Sequence, residues 1–180
     1  MKNFKIAILL FLSLTILTGV IYPFLITAAA QIFFREQANG SLLKSSQGEI
    51  VGSSLIAQKF QDRKYFWPRP SAIDYNPLPS GGSNLAVGSI ALQKILESKP
   101  KNMPADLIFA SGSGLDPEIS IAAAMFQVER ISKSRKFKPK QQQELKKLIG
   151  KLKEKRDLGI LGEPRINVLK LNLALDKIQL

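Results

Sequence analysis

The sequence has 180 residues, with 26 Lys and Arg against 14 Asp and Glu, and it contains neither His nor Cys. The absence of imidazole and thiol groups excludes disulfides, His-activated nucleophiles and zinc sites built on imidazole or thiolate. About 145 residues follow an apolar N-terminal stretch, which is enough for one domain with a core of its own.

That apolar stretch, residues 6–34, has no charged side chain and predicts a membrane-spanning helix. Roughly 20 helical residues cross the ~30 Å hydrocarbon layer, so the stretch has length to spare. A cleaved secretory signal is the alternative, because Lys2 and Lys5 give a positive start and residues 28–30 are all Ala. The stretch is longer than the apolar core of about 7 to 15 residues usual in a signal peptide, which favours a retained anchor.

One face of this helix is expected to meet another membrane helix. Thr15, Thr18, Gly19 and Tyr22 follow at i, i+3, i+4 and i+7 among Leu, Ile, Phe and Val. Membrane helices associate where small residues permit close approach and polar residues find partners. The alternative is that single Thr and Gly residues occur in any lone anchor. Pro23, beside this stripe, is expected to kink the helix.

The charges that flank the span predict its orientation. Lys2 and Lys5 lie in a very short N-terminal segment, and a long domain is translocated largely regardless of its charge. Residues 1–5 are therefore expected in the cytoplasm and residues 35–180 outside it. The basic character of the following domain argues in the opposite direction.

The first part of that domain contains few regular elements and one distinctive loop. A strand is predicted at residues 49–52 and a helical turn at 55–60. Residues 65–70 read Tyr-Phe-Trp-Pro-Arg-Pro, a proline spacing that no regular helix tolerates. Trp and Arg are enriched in interface hot spots, so Trp67 and Arg69 are candidate partner contacts. The alternative is that the aromatic side chains fill the core and Arg69 caps a carbonyl.

A glycine-rich turn follows, and its last residue is the predicted N-cap of a helix over residues 85–98. The turn consists of Ser80, Gly81, Gly82, Ser83 and Asn84, which are also predicted to contact a partner. A strand is predicted at 107–110, a turn at 111–114, and a further helix capped at Asp116 or Ser120. This succession is the shape of a phosphate-binding loop, but the turn lacks the GxxxxGK[ST] pattern and any Lys.

The last third of the chain is strongly basic and helical. Residues 130–156 contain twelve Lys and Arg against Glu144 and Glu154. Leu145, Leu148, Ile149 and Leu152 recur at helical spacing and predict an amphipathic helix with a basic outer face. That face is either simply solvated or attracted to anionic lipid headgroups. A final helix capped by Asn167 is predicted, although alternating Leu residues at 169–175 would also suit a strand.

Several motifs in one order resemble the C subunit of the Kdp potassium-transporting ATPase. The motifs are Gly-Ser-Leu at 40–42, Val-Gly-Ser at 51–53, Tyr-Phe-Trp-Pro-Arg-Pro-Ser-Ala at 65–72, Ser-Gly-Gly-Ser-Asn at 80–84, Ala-Ser-Gly-Ser-Gly-Leu-Asp-Pro at 110–117 and Leu-Gly-Glu-Pro-Arg-Ile-Asn-Val-Leu at 161–169. The resemblance covers almost the whole chain, including the single N-terminal anchor.

The resemblance implies a non-catalytic, single-pass subunit of a complex in the bacterial plasma membrane. Its partners would be an ATP-hydrolysing subunit, a potassium-channel-like subunit and a small accessory subunit, with lipid but no nucleic acid. ATP and potassium would be handled by the complex, with no cofactor held by this chain, which would act as a catalytic chaperone that raises ATP affinity. Gln127 resembles a family glutamine assigned to nucleotide contact, whereas its spacing on the helix indicates a solvated face.

The expected architecture is thus α+β, one membrane helix followed by one mixed α/β domain outside the cytoplasm. Two other functions remain open. A stand-alone anchored protein could bind a ligand through the loop between Trp67 and Asn84, and an extracytoplasmic hydrolase would have only unpaired carboxylates and hydroxyls for its chemistry.

Overall fold

The N-terminal part of the protein is one long apolar helix in this computed structural model, which describes residues 2–178. The helix runs over α1 (Lys2–Ile16), a π-helical turn (Leu17–Ile21) and α2 (Tyr22–Phe33), and a short α3 (Arg35–Ala38) follows. Its 32 residues correspond to roughly 48 Å, and its most apolar window is wholly exposed. By length and composition it can cross a membrane, and an exposed apolar surface of this extent suits lipid.

The π-helical turn lies immediately before Pro23. Tyr22 donates its N–H to the carbonyl of Leu17, five residues back rather than four. A proline inside an α-helix clashes with the carbonyl four residues before it and supplies no N–H. The wider turn accommodates the ring without ending the helix, because α2 continues to Phe33. A π turn thus precedes Pro23, and the kink predicted there stays a prediction.

The chain divides into two compact units at Leu42, and the second begins at Leu43. The core of the second unit lies among α5 (Ile121–Ser134), α6 (Pro139–Leu152), α7 (Val168–Leu175) and a two-stranded sheet. In that sheet β3 (Glu118–Ser120) pairs antiparallel with β4 (Arg165–Asn167), and Ile119 is opposite Ile166. The fold is therefore the predicted α+β arrangement, a mixed domain after one apolar helix.

The sequence pattern explains how these helices begin and which face they bury. The Ser120 side chain accepts the N–H of Ala123, and the Asn167 side chain accepts the N–H of Lys170, so both helices are capped. In α6 the Lys138 N–H donates to the Gln141 side chain, and Pro139 occupies the first turn. The fully buried residues of the core come from one side of each helix: Ala123, Ala124 and Ile131 in α5, Leu145 and Ile149 in α6, Leu171 and Leu175 in α7.

The remaining elements are short. The strands β1 (Leu42–Lys44) and β2 (Ile50–Ser53) form a second sheet, and α4 (Ile90–Glu97) is the only α-helix in the described residues between 54 and 120. The strand predicted at 49–52 is thus confirmed within one residue. The final helix is confirmed as well, and the strand alternative at 169–175 is excluded.

Three predicted elements are wrong. No helical turn forms at 55–60, and residues 107–110 are not a strand, because Leu107 ends a 3₁₀ turn (Ala105–Leu107). The helix predicted from residue 85 begins only at Ile90, where the Ser89 side chain accepts the N–H of Leu92. Asn84 has a φ of +50° and caps nothing, so the cap was assigned five residues too early. Each error involves a short apolar run whose periodicity is too brief to identify one element.

Candidate functional site

The aromatic loop of residues 63–67, called the clamped segment below, is held by side chains instead of by a neighbouring strand. Phe66 donates its N–H to Asn172 Oδ1 at 2.8 Å, and Asn172 Nδ2 donates to the Phe66 carbonyl at 3.0 Å. Trp67 makes the same pair with Gln127, with 2.8 Å to Oε1 and 3.0 Å from Nε2. A primary amide offers one donor group and one acceptor, so each side chain imitates the edge of a β-strand.

Both amides are buried, which makes these bonds costly to lose. Asn172 is 2% exposed and Gln127 3% exposed. A buried N–H or carbonyl without a partner costs about 1–3 kcal/mol, so each amide protects two backbone groups from that penalty. The expectation that Gln127 lies on a solvated face is therefore wrong. Glu129, the charged residue that suggested such a face, pairs with Lys133 on the exposed side of α5.

Two arginines complete the clamp on the preceding carbonyls. Arg130 donates from Nη1 to the Arg63 carbonyl at 2.6 Å and from Nη2 to the Tyr65 carbonyl at 3.0 Å. Arg135 donates from Nε to the Lys64 carbonyl at 2.8 Å and pairs with Asp176 at 2.6 Å. The carbonyls of five consecutive residues, 63 to 67, are thus all bound by side chains of α5 and of the α7 region.

Arg130 also lies over the ring of Trp67, with its guanidinium carbon 3.7 Å from the ring centroid. This contact is a cation–π interaction, and the Trp67 indole N–H donates to the Asp62 carbonyl at 3.1 Å. Burial, together with the nearby charge of Arg63, lowers the pKa of Arg130 to about 10. Within residues 2–178 no carboxylate forms an ion pair with Arg130.

A cavity of about 310 Å³ adjoins this pair. Its walls are mostly apolar, and they include Trp67, Pro70, Tyr75, Leu107 and Phe126, with Arg130 as one of two cationic residues. A concave apolar space with a few polar groups is the usual form of a small-molecule site or of a pocket for a partner side chain. Trp67 therefore belongs both to the clamp and to a recess that a partner can reach.

Arg69 does not line that cavity, and its side chain pairs with Asp116 instead. Its Nη1 lies 3.0 Å from Asp116 Oδ2, and its carbonyl accepts the Tyr75 hydroxyl at 2.8 Å. The alternative in which Arg69 caps a carbonyl is thus wrong, because its partner is a carboxylate. The ion pair is about one third exposed, so it orients the loop without adding much stability.

The two glycine-rich turns pack against each other, which the sequence did not indicate. Gly81 donates its N–H to the Ser113 carbonyl at 3.1 Å. A Cβ on Gly82 would lie 2.9 Å from the carbonyl oxygen of Gly112, so no larger residue fits there. Ser80, Ser83 and Asn84 flank this contact and are exposed. The turn at 111–114 is consequently a packing element.

The stripe on the membrane helix lies in the other unit. The Thr15 and Thr18 hydroxyls donate to the carbonyls of Phe11 and Leu14 at 2.8 and 2.7 Å. Their donors are satisfied within the helix, so they offer a neighbour only acceptor lone pairs. Gly19 has open space where a Cβ would be, and Tyr22 is 62% exposed.

The π turn adds a polar group to this stripe. In a regular α-helix the Tyr22 N–H would donate to the Thr18 carbonyl, but here it donates to the Leu17 carbonyl. The next residue, Pro23, has no N–H, so neither residue donates to the Thr18 carbonyl. In lipid, an unpaired backbone carbonyl requires a partner. The sequence signal for it was Pro23, four residues after Gly19.

No grouping of three or more Asp or Glu side chains within residues 2–178 is arranged to hold a metal ion. Three carboxylates do converge on Arg165, from Glu118 at 2.9 Å, Asp157 at 3.6 Å and Glu154 at 3.7 Å. Burial raises the pKa of Glu118, while Arg165 opposes that rise. The cluster is thus an ion-pair network around one cation.

The chain matches the family model described as the c chain of the K⁺-transporting ATPase, over residues 4–177. It belongs to that family. It is 46% identical to the potassium-transporting ATPase KdpC subunit of Geotalea uraniireducens over 99% of both chains. It is 48% identical to the same subunit of Geobacter sulfurreducens over 98% of both, and 47% identical to that of Synechocystis sp. over 97% of this chain and 98% of the relative. The resemblance inferred from the motifs is confirmed.

Proposed function

We propose that the chain is a non-catalytic, membrane-anchored subunit of an ATP-driven potassium uptake complex in the bacterial plasma membrane. The family match across residues 4–177 carries this proposal, because relatives named as subunits of a potassium-transporting ATPase align with the chain from end to end. The partners are an ATP-hydrolysing subunit, a channel-like subunit and a small accessory subunit. ATP and potassium are handled by these partners, and this chain holds no cofactor.

The geometry of the clamped segment supports a role without catalysis. The two polar atoms of the Gln127 amide bind Trp67, and Oε1 also accepts from Arg130 at 2.6 Å. A nucleotide contact by Gln127 would therefore require those bonds to break. Ser111 and Ser113 lie in the packed glycine turn, where each hydroxyl accepts a backbone N–H.

Assembly is proposed to use both units of the chain. In the membrane, the stripe of Thr15, Thr18, Gly19 and Tyr22 meets a neighbouring helix, which approaches at Gly19 and donates to the Thr18 carbonyl. Outside the membrane, the recess beside Trp67 and the surface near Arg69 and residues 80–84 receive a partner loop. The chaperone effect on ATP affinity is then a coupling free energy between distant sites.

The orientation is tested by reporter fusions. The positive charges of Lys2 and Lys5 support a cytoplasmic N-terminus, so an enzyme that is active only outside the cytoplasm should work when fused after the last residue. Activity from a cytoplasm-only reporter at that position would reverse the orientation.

Co-purification in mild detergent tests the assembly. Tagged wild-type chain should retain the other subunits, whereas Gly19→Leu should lose them because the added side chain holds the neighbouring helix away. Ala28→Leu, which adds the same kind of side chain outside the stripe, serves as the control and should retain the complex. Purification of the wild-type chain alone would favour a stand-alone binding protein. Equal recovery with Gly19→Leu would remove the stripe from the proposal.

A further inference from the structure

The hairpin of residues 154–165 exposes an apolar tip. Glu154 and Arg165 exchange backbone hydrogen bonds at 2.9 and 3.2 Å, and Asp157 and Leu161 exchange a second pair at 2.9 Å each. The turn between them has positive φ at Leu158 and Gly159. Leu158 is 90% exposed, Ile160 75% and Leu161 56%. Single exposed apolar residues are ordinary, but three within four positions form a patch that an interaction normally covers.

The base of this hairpin is fixed, so the tip is held out and does not fold back. Arg165, on the second arm of the hairpin, binds two carboxylates of the first arm, Glu154 and Asp157, and Glu118 of β3, and Lys170 lies 3.3 Å from Glu154. The main chain is paired on both sides of the turn. The tip is therefore exposed although the hairpin is ordered, and its apolar side chains do not pack into the core.

The approach to the tip is basic. Lys151, Lys153, Lys155 and Arg156 are all exposed, and none of them forms an ion pair within residues 2–178. The exposed Lys146 and Lys147 extend this charge along α6. An apolar projection with a collar of unpaired cations matches the depth profile of an anionic bilayer surface, where acyl chains lie below acidic headgroups.

We infer that the tip of Leu158, Ile160 and Leu161, with its collar of Lys153, Lys155 and Arg156, docks into a bilayer surface that contains anionic lipid. The apolar side chains enter the boundary between headgroups and acyl chains, and the cations bind the headgroup phosphates. A bilayer is always near, since the chain carries an apolar helix long enough to span one. The inference concerns lipid alone and does not depend on assembly with other subunits.

Spin labelling of the full-length chain tests this inference, and the absence of Cys makes single-site labelling direct. Leu158→Cys is labelled with a nitroxide and placed in nanodiscs of phosphatidylcholine, or of equal parts phosphatidylcholine and phosphatidylglycerol. In the anionic discs, collisions with oxygen should rise and collisions with an aqueous nickel complex should fall. Val87→Cys, at a position that is 92% exposed outside the hairpin, should stay aqueous in both.

Charge reversal provides the matched comparison. Each cation near an anionic surface contributes about fivefold to the ratio of docked to free states, so Lys153→Glu, Lys155→Glu and Arg156→Glu together, which also add three repelled carboxylates, should lower it by at least about a hundredfold. The label at position 158 should then become aqueous. Reversal of the exposed Lys94, Lys99 and Lys101 should change nothing.

Three results would overturn the inference. The label could remain aqueous in anionic discs, or it could be equally immersed in neutral discs. It could also become protected only when the other subunits of the complex are present, in which case a protein surface covers the tip.

Discussion

The clamped segment and the hairpin of residues 154–165 satisfy their backbones in opposite ways. The hairpin pairs with itself, so its side chains are free to face outward. The clamped segment has no strand beside it, and buried amides and arginines from distant helices bind its carbonyls. Variation in the hairpin should therefore affect the surface, whereas variation in the clamp should affect the free energy of unfolding of the whole domain.

The largest effect is expected at Asn172. Asn172→Ala leaves both the N–H and the carbonyl of the fully buried Phe66 without partners, and each loss costs about 1–3 kcal/mol. We expect the free energy of unfolding of the full-length chain in mild detergent to fall by about 3–4 kcal/mol. Fluorescence of the single Trp67 reports the transition. A loss no larger than that from an exposed control, Asn102→Ala, would contradict the clamp.

A smaller loss, about 2 kcal/mol, is expected for Gln127→Ala, because Trp67 is only partly buried and water can replace some of the amide's bonds. Gln127→Glu should retain more stability than Gln127→Ala, since it keeps the acceptor for Trp67 and gives Arg130 a carboxylate. In the assembled complex, neither variant should change the apparent KM for ATP by more than about twofold. A tenfold increase with assembly intact would instead indicate direct nucleotide contact.

The smallest effect concerns Glu118 at the base of the hairpin. Burial raises its pKa in the folded protein, so the folded state holds the proton more tightly than the unfolded state. Its contribution to stability is present below the ordinary pKa and is lost as the pH rises through the folded value. The difference in unfolding free energy between Glu118→Gln and wild type should thus vary across that range, by less than about 0.5 kcal/mol because the group is partly exposed. A pH-independent difference would contradict this assignment.

The sequence identifies the parts of this fold that depend on local chemistry. Ser120 and Asn167 cap their helices as expected, and the apolar spacing of α6 gives the correct buried face. The clamp could not be predicted, because an amide that binds a backbone 60 or 106 residues away leaves no periodic signal. Gln127 looked solvated because charged residues follow it, yet it lies on the buried face between Ala124 and Ile131.

In the candidate site, too, the local features could be predicted from the sequence and the tertiary contacts could not. Composition indicated that residues 65–70 form a fixed loop, but it did not show that Arg69 pairs with Asp116 or that the turns at 80–84 and 111–114 pack together. Those contacts depend on tertiary approach. The stripe of the membrane helix was visible as a pattern, whereas the open carbonyl of Thr18 follows from the π turn.

The sequence separation of the clamp also sets an order of events during synthesis. Phe66 and Trp67 emerge early, but their amide partners come from α5 and from α7, close to the C-terminus. Until residue 172 has emerged, the N–H and the carbonyl of Phe66 lack the Asn172 amide that binds them in the folded domain. Contacts between residues so far apart in sequence form late in folding, and a chain that has not yet formed them is prone to aggregation. A product truncated before α7 therefore lacks the two hydrogen bonds that hold the backbone of Phe66, although the side chains of α5 that bind its neighbours are present.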